Sequence, residues 1–239
     1  MTTSHLPAQH HFDVLIVGSG LAGLSAALHL AQRGYDVVLL EAHRVGFGAS
    51  GRNGGQVGSG QRQDQVWIEK TVGRDAAHRL WDLAEDSKAL VKNLIQTHAM
   101  PVTFHPDIAH ACWTDAQVRD THAYAEKLHR DYGYSHLEPL DRDGIRRLIG
   151  STVYKGGEVD RDAGHLHPLN YALGLASAAA KAGAQIYENA EVQHIDHGAT
   201  PIVRTAQGRV ICKQLILAGN GYLGGLDRKV AAKVMPINN

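Results

Sequence analysis

Asp13-Val-Leu-Ile-Val17 is a short apolar run rich in β-branched residues, and it stops abruptly at Gly18. Such a run reads as a parallel strand buried on both faces. Leu21 to Arg33 is rich in alanine and leucine with helical periodicity, and Gly34 supplies the left-handed residue that ends it. Tyr35 to Leu40 is a second apolar strand, closed by Glu41. Two parallel strands joined by so short a helix form a βαβ crossover. Between strand and helix lie Gly18-Ser19-Gly20-Leu21-Ala22-Gly23. Gly18 allows the sharp turn, Gly20 lets backbone approach a pyrophosphate, and Gly23 with Ala27 lets helix and strand pack closely. The helix amino terminus offers unpaired N–H groups and partial positive charge to phosphates. Glu41, 23 residues beyond Gly18 at the end of the second strand, stands where a carboxylate accepts hydrogen bonds from an adenosine ribose. The pattern therefore points to an adenine dinucleotide with a free 2′-hydroxyl. Taken alone, it does not separate NAD from FAD.

From Ala42 to Gly60 the composition changes. Gly46, Gly48, Gly51, Gly54, Gly55, Gly58 and Gly60 alternate with Ser50, Arg52, Asn53 and Gln56. Linkers seldom mix arginine, asparagine and glutamine so densely with glycine, so this reads as a loop whose backbone approaches a ligand. A helix is expected over Asp75–Met100 with a stripe of Leu80, Leu83, Ala84, Leu90, Leu94 and Ile95. Strands are expected at Val102–Phe104 and Ile108–Trp113, and a helix over Asp115–Tyr132 capped by Thr114. A short helix follows at Asp141–Ile149, then a strand at Tyr154–Asp160 and a turn at Arg161–Gly164. Pro168 then opens a helix ending before Gly183. The remaining strands are expected at Gln185–Tyr187, Glu191–Ile195, a hairpin of Ile202–Thr205 with Val210–Ile211, and Gln214–Ala218.

Composition narrows the partners. Lys and Arg number 24, as do Asp and Glu, so the surplus of basic groups that nucleic acid or an anionic membrane requires is missing. Two cysteines, Cys112 and Cys212, exclude a disulfide scaffold and a multi-thiolate zinc site. The sixteen histidines lack metal-ligand spacing: His10-His11, His165-Leu-His167 and the His194/His197 pair have no companion carboxylates in a helical frame, and no metal is expected. Met1–His11 lacks the positive region of a signal peptide, and Phe12–Leu30 is interrupted by glycines and His29, so a soluble, cytoplasmic protein is expected.

Val14–Gly23, Glu41-Ala42 and Gly46-Phe-Gly-Ala-Ser-Gly-Arg-Asn-Gly-Gly-Gln56 together resemble the FAD-dependent amino acid and amine oxidase family that includes D-amino acid, glycine and sarcosine oxidases. The Gly164–Asn170 and Leu217–Gly224 segments extend the likeness over nearly the whole chain, most closely to its branch acting on γ-glutamylputrescine. The resemblance implies an α/β fold: a Rossmann-like FAD-binding domain with an inserted α+β portion of a substrate domain. It implies Ala49 and Ser50 at the FAD pyrophosphate, and Arg52, Asn53, Gly54, Gly55 and Gln56 beside the isoalloxazine ring. Val192 would meet adenine through its backbone, and Ala218-Gly219 would pass near the pyrophosphate. The implied reaction oxidises an amine to an imine that hydrolyses to an aldehyde or keto acid, with oxygen or another electron acceptor. γ-Glutamylputrescine is the favoured small-molecule substrate; a sarcosine- or glycine-type oxidase and a non-catalytic FAD-binding fragment are the alternatives. No histidine lies in Val45–Val66 and both cysteines are outside the loop, so FAD is expected to be noncovalent, with His43 a surface neighbour and not a tether.

The family's chains are considerably longer, so this one is expected to be an amino-terminal fragment or shortened variant. On that basis residues 12–60 begin the FAD-binding domain, 61–163 are inserted, 164–224 return to it, and 225–239 begin the carboxy-terminal half.

Overall fold

The computed structural model describes residues 9–236. Residues 1–8, on which the expectation of no targeting segment partly rests, and 237–239, the end of the expected last segment, lie outside the described residues. In chain order the first elements are β1 (Gln9–Val17), α1 (Leu21–Gln32), β2 (Val37–Leu40), β3 (Gln56–Val57), α2 (Gln65–Val72), α3 (Arg74–Thr97) and β4 (His105–Cys112). There follow α4 (Asp115–Tyr132), β5 (Leu137–Leu140), α5 (Arg142–Ile149), β6 (Gly156–His165) and α6 (Pro168–Lys181). The chain closes with β7 (Gln185–Tyr187), β8 (Val192–Asp196), β9 (Ile202–Thr205), β10 (Gly208–Leu217) and α7 (Arg228–Ala231). Two compact units emerge. One comprises Met1–Asn53, Thr97–Val102 and Pro168–Asn239; the other comprises Gly54–Gln96 and Thr103–His167. The divisions thus fall at Gly54 and Pro168, and residues 97–102 return to the first unit within the segment read as a continuous insertion.

The first unit is built on a six-stranded sheet ordered β7-β2-β1-β10-β9-β8. Pairing is parallel from β7 through β10 and antiparallel across β10, β9 and β8. The central strands have no solvent-facing side: Leu15, Ile16, Val37, Val38 and Leu39 are fully buried, which is why their sequences are unbroken apolar runs. Helix α1 buries Leu24, Ala27, Leu28 and Ala31 and lies against α6. The turn after α1 has Gly34 at φ +86°, with its N–H donating to Ala31 O. Gly174 on α6 faces Met100, and a side chain there would strike the Met100 thioether. That contact shows why the 97–102 segment packs with this unit.

The second unit centres on β6, which pairs antiparallel with β4 on one side and with β5 and β3 on the other. Helix α4 is closed by a capping box, in which Thr114 accepts from the Gln117 N–H and the Gln117 side chain accepts from the Thr114 N–H.

Several expected elements are corrected. Helix α2 was not anticipated; Asp64 caps it by accepting from the Trp67 N–H, and Gly73 at φ +83° separates it from α3. The buried stripe of α3 runs through Ala77, Trp81, Ala84, Lys88 and Leu94, leaving Leu83 57% and Leu90 39% exposed. Trp81 and a paired lysine take the inward positions that leucines were expected to fill. Residues 102–104 form no strand; the ladder begins at His105 and is irregular at Asp107, whose φ is +71°. Strand β5 contains Pro139 and was missed. Strand β6 continues through Arg161–Gly164, where a turn was expected, and β10 is one strand across 208–217 instead of two pieces.

Candidate nucleotide-binding site

Strands β1, β2 and β10 end at one level. The Gly18 N–H donates to Leu40 O at 2.8 Å, and the Ala218 N–H donates to Val17 O at 2.8 Å. The chain leaves β1 for β2 on one side, while β10 flanks the other. The carboxyl ends of such strands are where open α/β sheets bind ligands. Gly18 turns here at φ +104°, and any side chain on it would meet Ala218 O at 2.8 Å. A side chain on Gly23 would collide with the Gly18 carbonyl oxygen. Close packing against the end of β10 at Gly18, and of helix against turn at Gly23, therefore excludes larger residues at both positions.

A cavity of ≈ 760 Å³ opens at this level, within the range of roughly 300–1,000 Å³ usual for small-molecule sites. Its floor is Val17 to Gly20, and one wall is Leu40 to His43. The others are Phe47 to Ser50, Glu191 to Gln193, Ala218 to Asn220 and Tyr222 to Leu226. Glu41 is held from every side. Its Oε2 accepts from the Ser19 amide at 2.8 Å and the Ser19 hydroxyl at 2.7 Å, and its Oε1 accepts from the His43 amide at 2.9 Å. Its backbone is clamped as well: the Glu41 N–H donates to Tyr187 O, and Glu41 O accepts from the Ala190 N–H. Further along the loop, the Val45 N–H donates to Glu188 Oε1 at 2.8 Å.

The amino end of α1 has no side-chain cap of its own, since Gly20 stands at the N-cap. Ser50, 29 residues on, takes that role: its Oγ accepts from the Leu21 N–H at 3.1 Å, in the space a side chain at Gly20 would need. The Gly20 N–H has no protein partner among the described residues and lies on the cavity floor. An anionic group at the positive end of α1 would meet that donor, and a bound diphosphate fits this arrangement.

Of the residues singled out in the sequence, Gly18, Ser19, Gly20, Glu41, Ala42, Ala49 and Ser50 line this cavity, as do Val192, Ala218 and Gly219. Leu21, Ala22 and Gly23 lie in the first turn of α1 and do not line it. Arg52 sits with its guanidinium 4.4 Å from the centre of the Phe47 ring, and Asn53 donates to Ala49 O and Ser50 O, tightening the short 3₁₀ turn at Ala49–Gly51. Gly54, Gly55 and Gln56 belong to the second unit, where Gln56 pairs with His165 and Gly55 O accepts from the Leu166 N–H. Sequence reasoning passed over Phe47, Glu191, Gln193 and Tyr222. The Tyr222 ring is 72% exposed and rests against Gly48, which has no side chain to displace it. An aromatic residue just after the strand-ending Ala218-Gly-Asn-Gly221 was the available signal.

The second unit holds a smaller cavity of ≈ 230 Å³, bordered by Trp81, Tyr124, Tyr134, His110, Glu158 and Asp160. A hydrogen-bond chain runs beside it: Lys88 donates to Ser59, Ser59 to Tyr134, and Tyr134 to Asp160 Oδ1 at 2.6 Å. Burial, reinforced by the Asp160 acceptor, pushes the Tyr134 hydroxyl well above its ordinary range. Buried Lys88 is neutralised by Glu85 at 2.8 Å and Asp162 at 2.6 Å. Burial pushes Glu158 up to about 7, with Asp160 adding in the same direction. Among the described residues, no group of three or more His, Cys, Asp or Glu side chains is placed to hold a metal ion, and no helix is long and apolar enough to cross a membrane.

The strand order, glycine turn and terminal acid define a dinucleotide-binding α/β unit. Residues 13–239 match the family model for the DAO group, FAD dependent oxidoreductase, and the chain belongs to that family. It is 41% identical over 225 residues to the γ-glutamylputrescine oxidoreductase of Escherichia coli, covering 94% of this chain and 53% of that protein. It is 39% identical over 238 residues to a probable oxidoreductase, OrdL, of Rhizobium meliloti, covering 98% of this chain and 55% of that protein. The chain thus spans about half the length of these curated relatives. The crystal structure of glycine oxidase from Geobacillus kaustophilus shares the fold, with a TM-score of 0.77 at 22% identity over 92% of this chain and 58% of that one.

Proposed function

We propose that this chain forms the FAD-binding half of an amine-oxidising flavoenzyme, with γ-glutamylputrescine as substrate. The single observation that carries the reading is the meeting of three features in one cavity: the Gly18–Gly20 part of the turn, the clamped Glu41 carboxylate and the unpartnered Gly20 N–H. The likeness to the Escherichia coli γ-glutamylputrescine oxidoreductase supports the substrate. On this reading the first unit binds the cofactor and the second belongs to the substrate domain.

FAD, when bound, would supply the two-electron redox chemistry for oxidising the carbon that bears the amine. The protein's part is to bind and orient. Gly20 N–H donates to the diphosphate, and Ser50, whose oxygen accepts from Leu21, keeps its own hydroxyl proton to donate there. Glu41 accepts from the ribose, while the backbone at Val192 borders adenine. Ala42, Ala49, Ala218 and Gly219 complete the walls with small side chains or none. Arg52, held over Phe47, keeps a positive charge beside the glycine loop. The absence of histidine and cysteine from Val45–Val66 supports a noncovalently held FAD.

Anaerobic mixing tests the substrate. With FAD bound, γ-glutamylputrescine bleaches the flavin absorbance, and oxygen or another acceptor restores it. Bleaching by sarcosine or glycine instead assigns the protein to an oxidase of that type. A flavin that no amine bleaches makes the chain a nucleotide-binding fragment without turnover.

A further inference from the structure

We infer that Ser19 is a positioning residue, which acts on the nucleotide only by locking the Glu41 carboxylate. The inference rests on the reading of the large cavity as a nucleotide site. Ser19 is fully buried, and both its amide and its hydroxyl donate to the same oxygen, Glu41 Oε2, at 2.8 and 2.7 Å. A phosphate oxygen can only accept hydrogen bonds, and a serine has one hydroxyl proton. That proton and the Ser19 N–H are both committed to Glu41, so neither is left for a diphosphate. The turn therefore divides its donors: Ser19 serves the carboxylate and Gly20 serves the ligand.

The division matters because a glutamate side chain has three rotatable bonds and loses rotamer freedom when it grips a ligand. Here that freedom is already removed. Two donors hold Oε2, the His43 amide holds Oε1, and backbone bonds to Tyr187 and Ala190 fix the residue at its root. Glu41 thus meets a ribose pre-organised, with acceptor capacity remaining on Oε1. Among these clamps Ser19 Oγ is the one supplied by a side chain, so it can be removed without touching the backbone. Alanine at this position would preserve the glycine turn and its amide.

The test is a double-mutant cycle read as ADP affinity by calorimetry on the 239-residue chain, which needs no turnover. Ser19→Ala is expected to weaken ADP about tenfold, the scale of a charge-assisted hydrogen bond. In a Glu41→Ala background, where nothing is left to position, the same substitution is expected to change affinity less than twofold. Equal losses in both backgrounds mean that Ser19 touches the ligand or the fold directly, and overturn the inference while sparing the nucleotide site. A Ser19→Ala affinity within twofold of the parent also overturns it. Failure of the unsubstituted chain to bind ADP overturns the nucleotide reading itself, and the inference falls with it.

Discussion

Glu158 and Asp160 are two residues apart on β6, so both project from the same face of that strand. The Glu158 Oε2 is shielded from solvent without a hydrogen-bond partner, and its carboxyl titrates at about 7 instead of near the ordinary 4.5. An acid whose folded value is raised binds its proton more tightly in the native state. Stability therefore falls as pH rises from about 4.5 through about 7, then levels off. Glu158→Gln keeps the shape and removes the charge. Urea unfolding at pH 5 and pH 8 should show the parent losing on the order of 1–2 kcal/mol more than the variant, after allowance for partial exposure. Equal losses in both proteins would contradict the assignment. The placing of single residues was unevenly legible. The position of Glu41 at the end of β2 could be read directly, because a strand end followed by an acid is a local pattern. The capping of α1 by Ser50 could not, since its partner lies 29 residues away and only the folded loop brings them together.

Elements were legible where their pattern was local. The strand, glycine turn and helix of β1–α1 follow from period and glycine placement, and the Thr114 cap was readable from the residue preceding Asp115. Strand β6 shows the opposite case. Arg161-Asp-Ala-Gly164 has the composition of a turn, yet partners distant in sequence hold it extended. Arg161 bridges Asp107 and Glu138, and Asp162 bridges Lys88 and Lys92. Such ion pairs leave no mark in a local window. Helix α3 was found, but its facing was not, because Lys88 is buried only by virtue of Glu85 and Asp162. At the scale of one element the capping box gives a direct prediction. Thr114→Ala should lower unfolding free energy by about 1 kcal/mol in urea denaturation, while Thr114→Ser restores most of it. A Thr114→Ala stability equal to the parent's would show that the cap contributes nothing.

For the whole molecule, the α/β class was legible, whereas the return of residues 97–102 to the first unit was not. The segment 97–102 belongs with the first unit through Met100 and Gly174, a contact set by volume and not by any sequence period. The glycine-rich stretch also divides at Gly54, so residues read as one loop serve two units. The central claim concerns the first unit alone: the cavity at the carboxyl ends of β1, β2 and β10 binds the ADP portion of FAD. Titration of FAD into the purified chain, followed by flavin fluorescence and repeated in the presence of ADP, tests it directly. The account predicts one FAD bound per chain and its displacement by ADP. FAD that does not bind, or that ADP cannot displace, would contradict it.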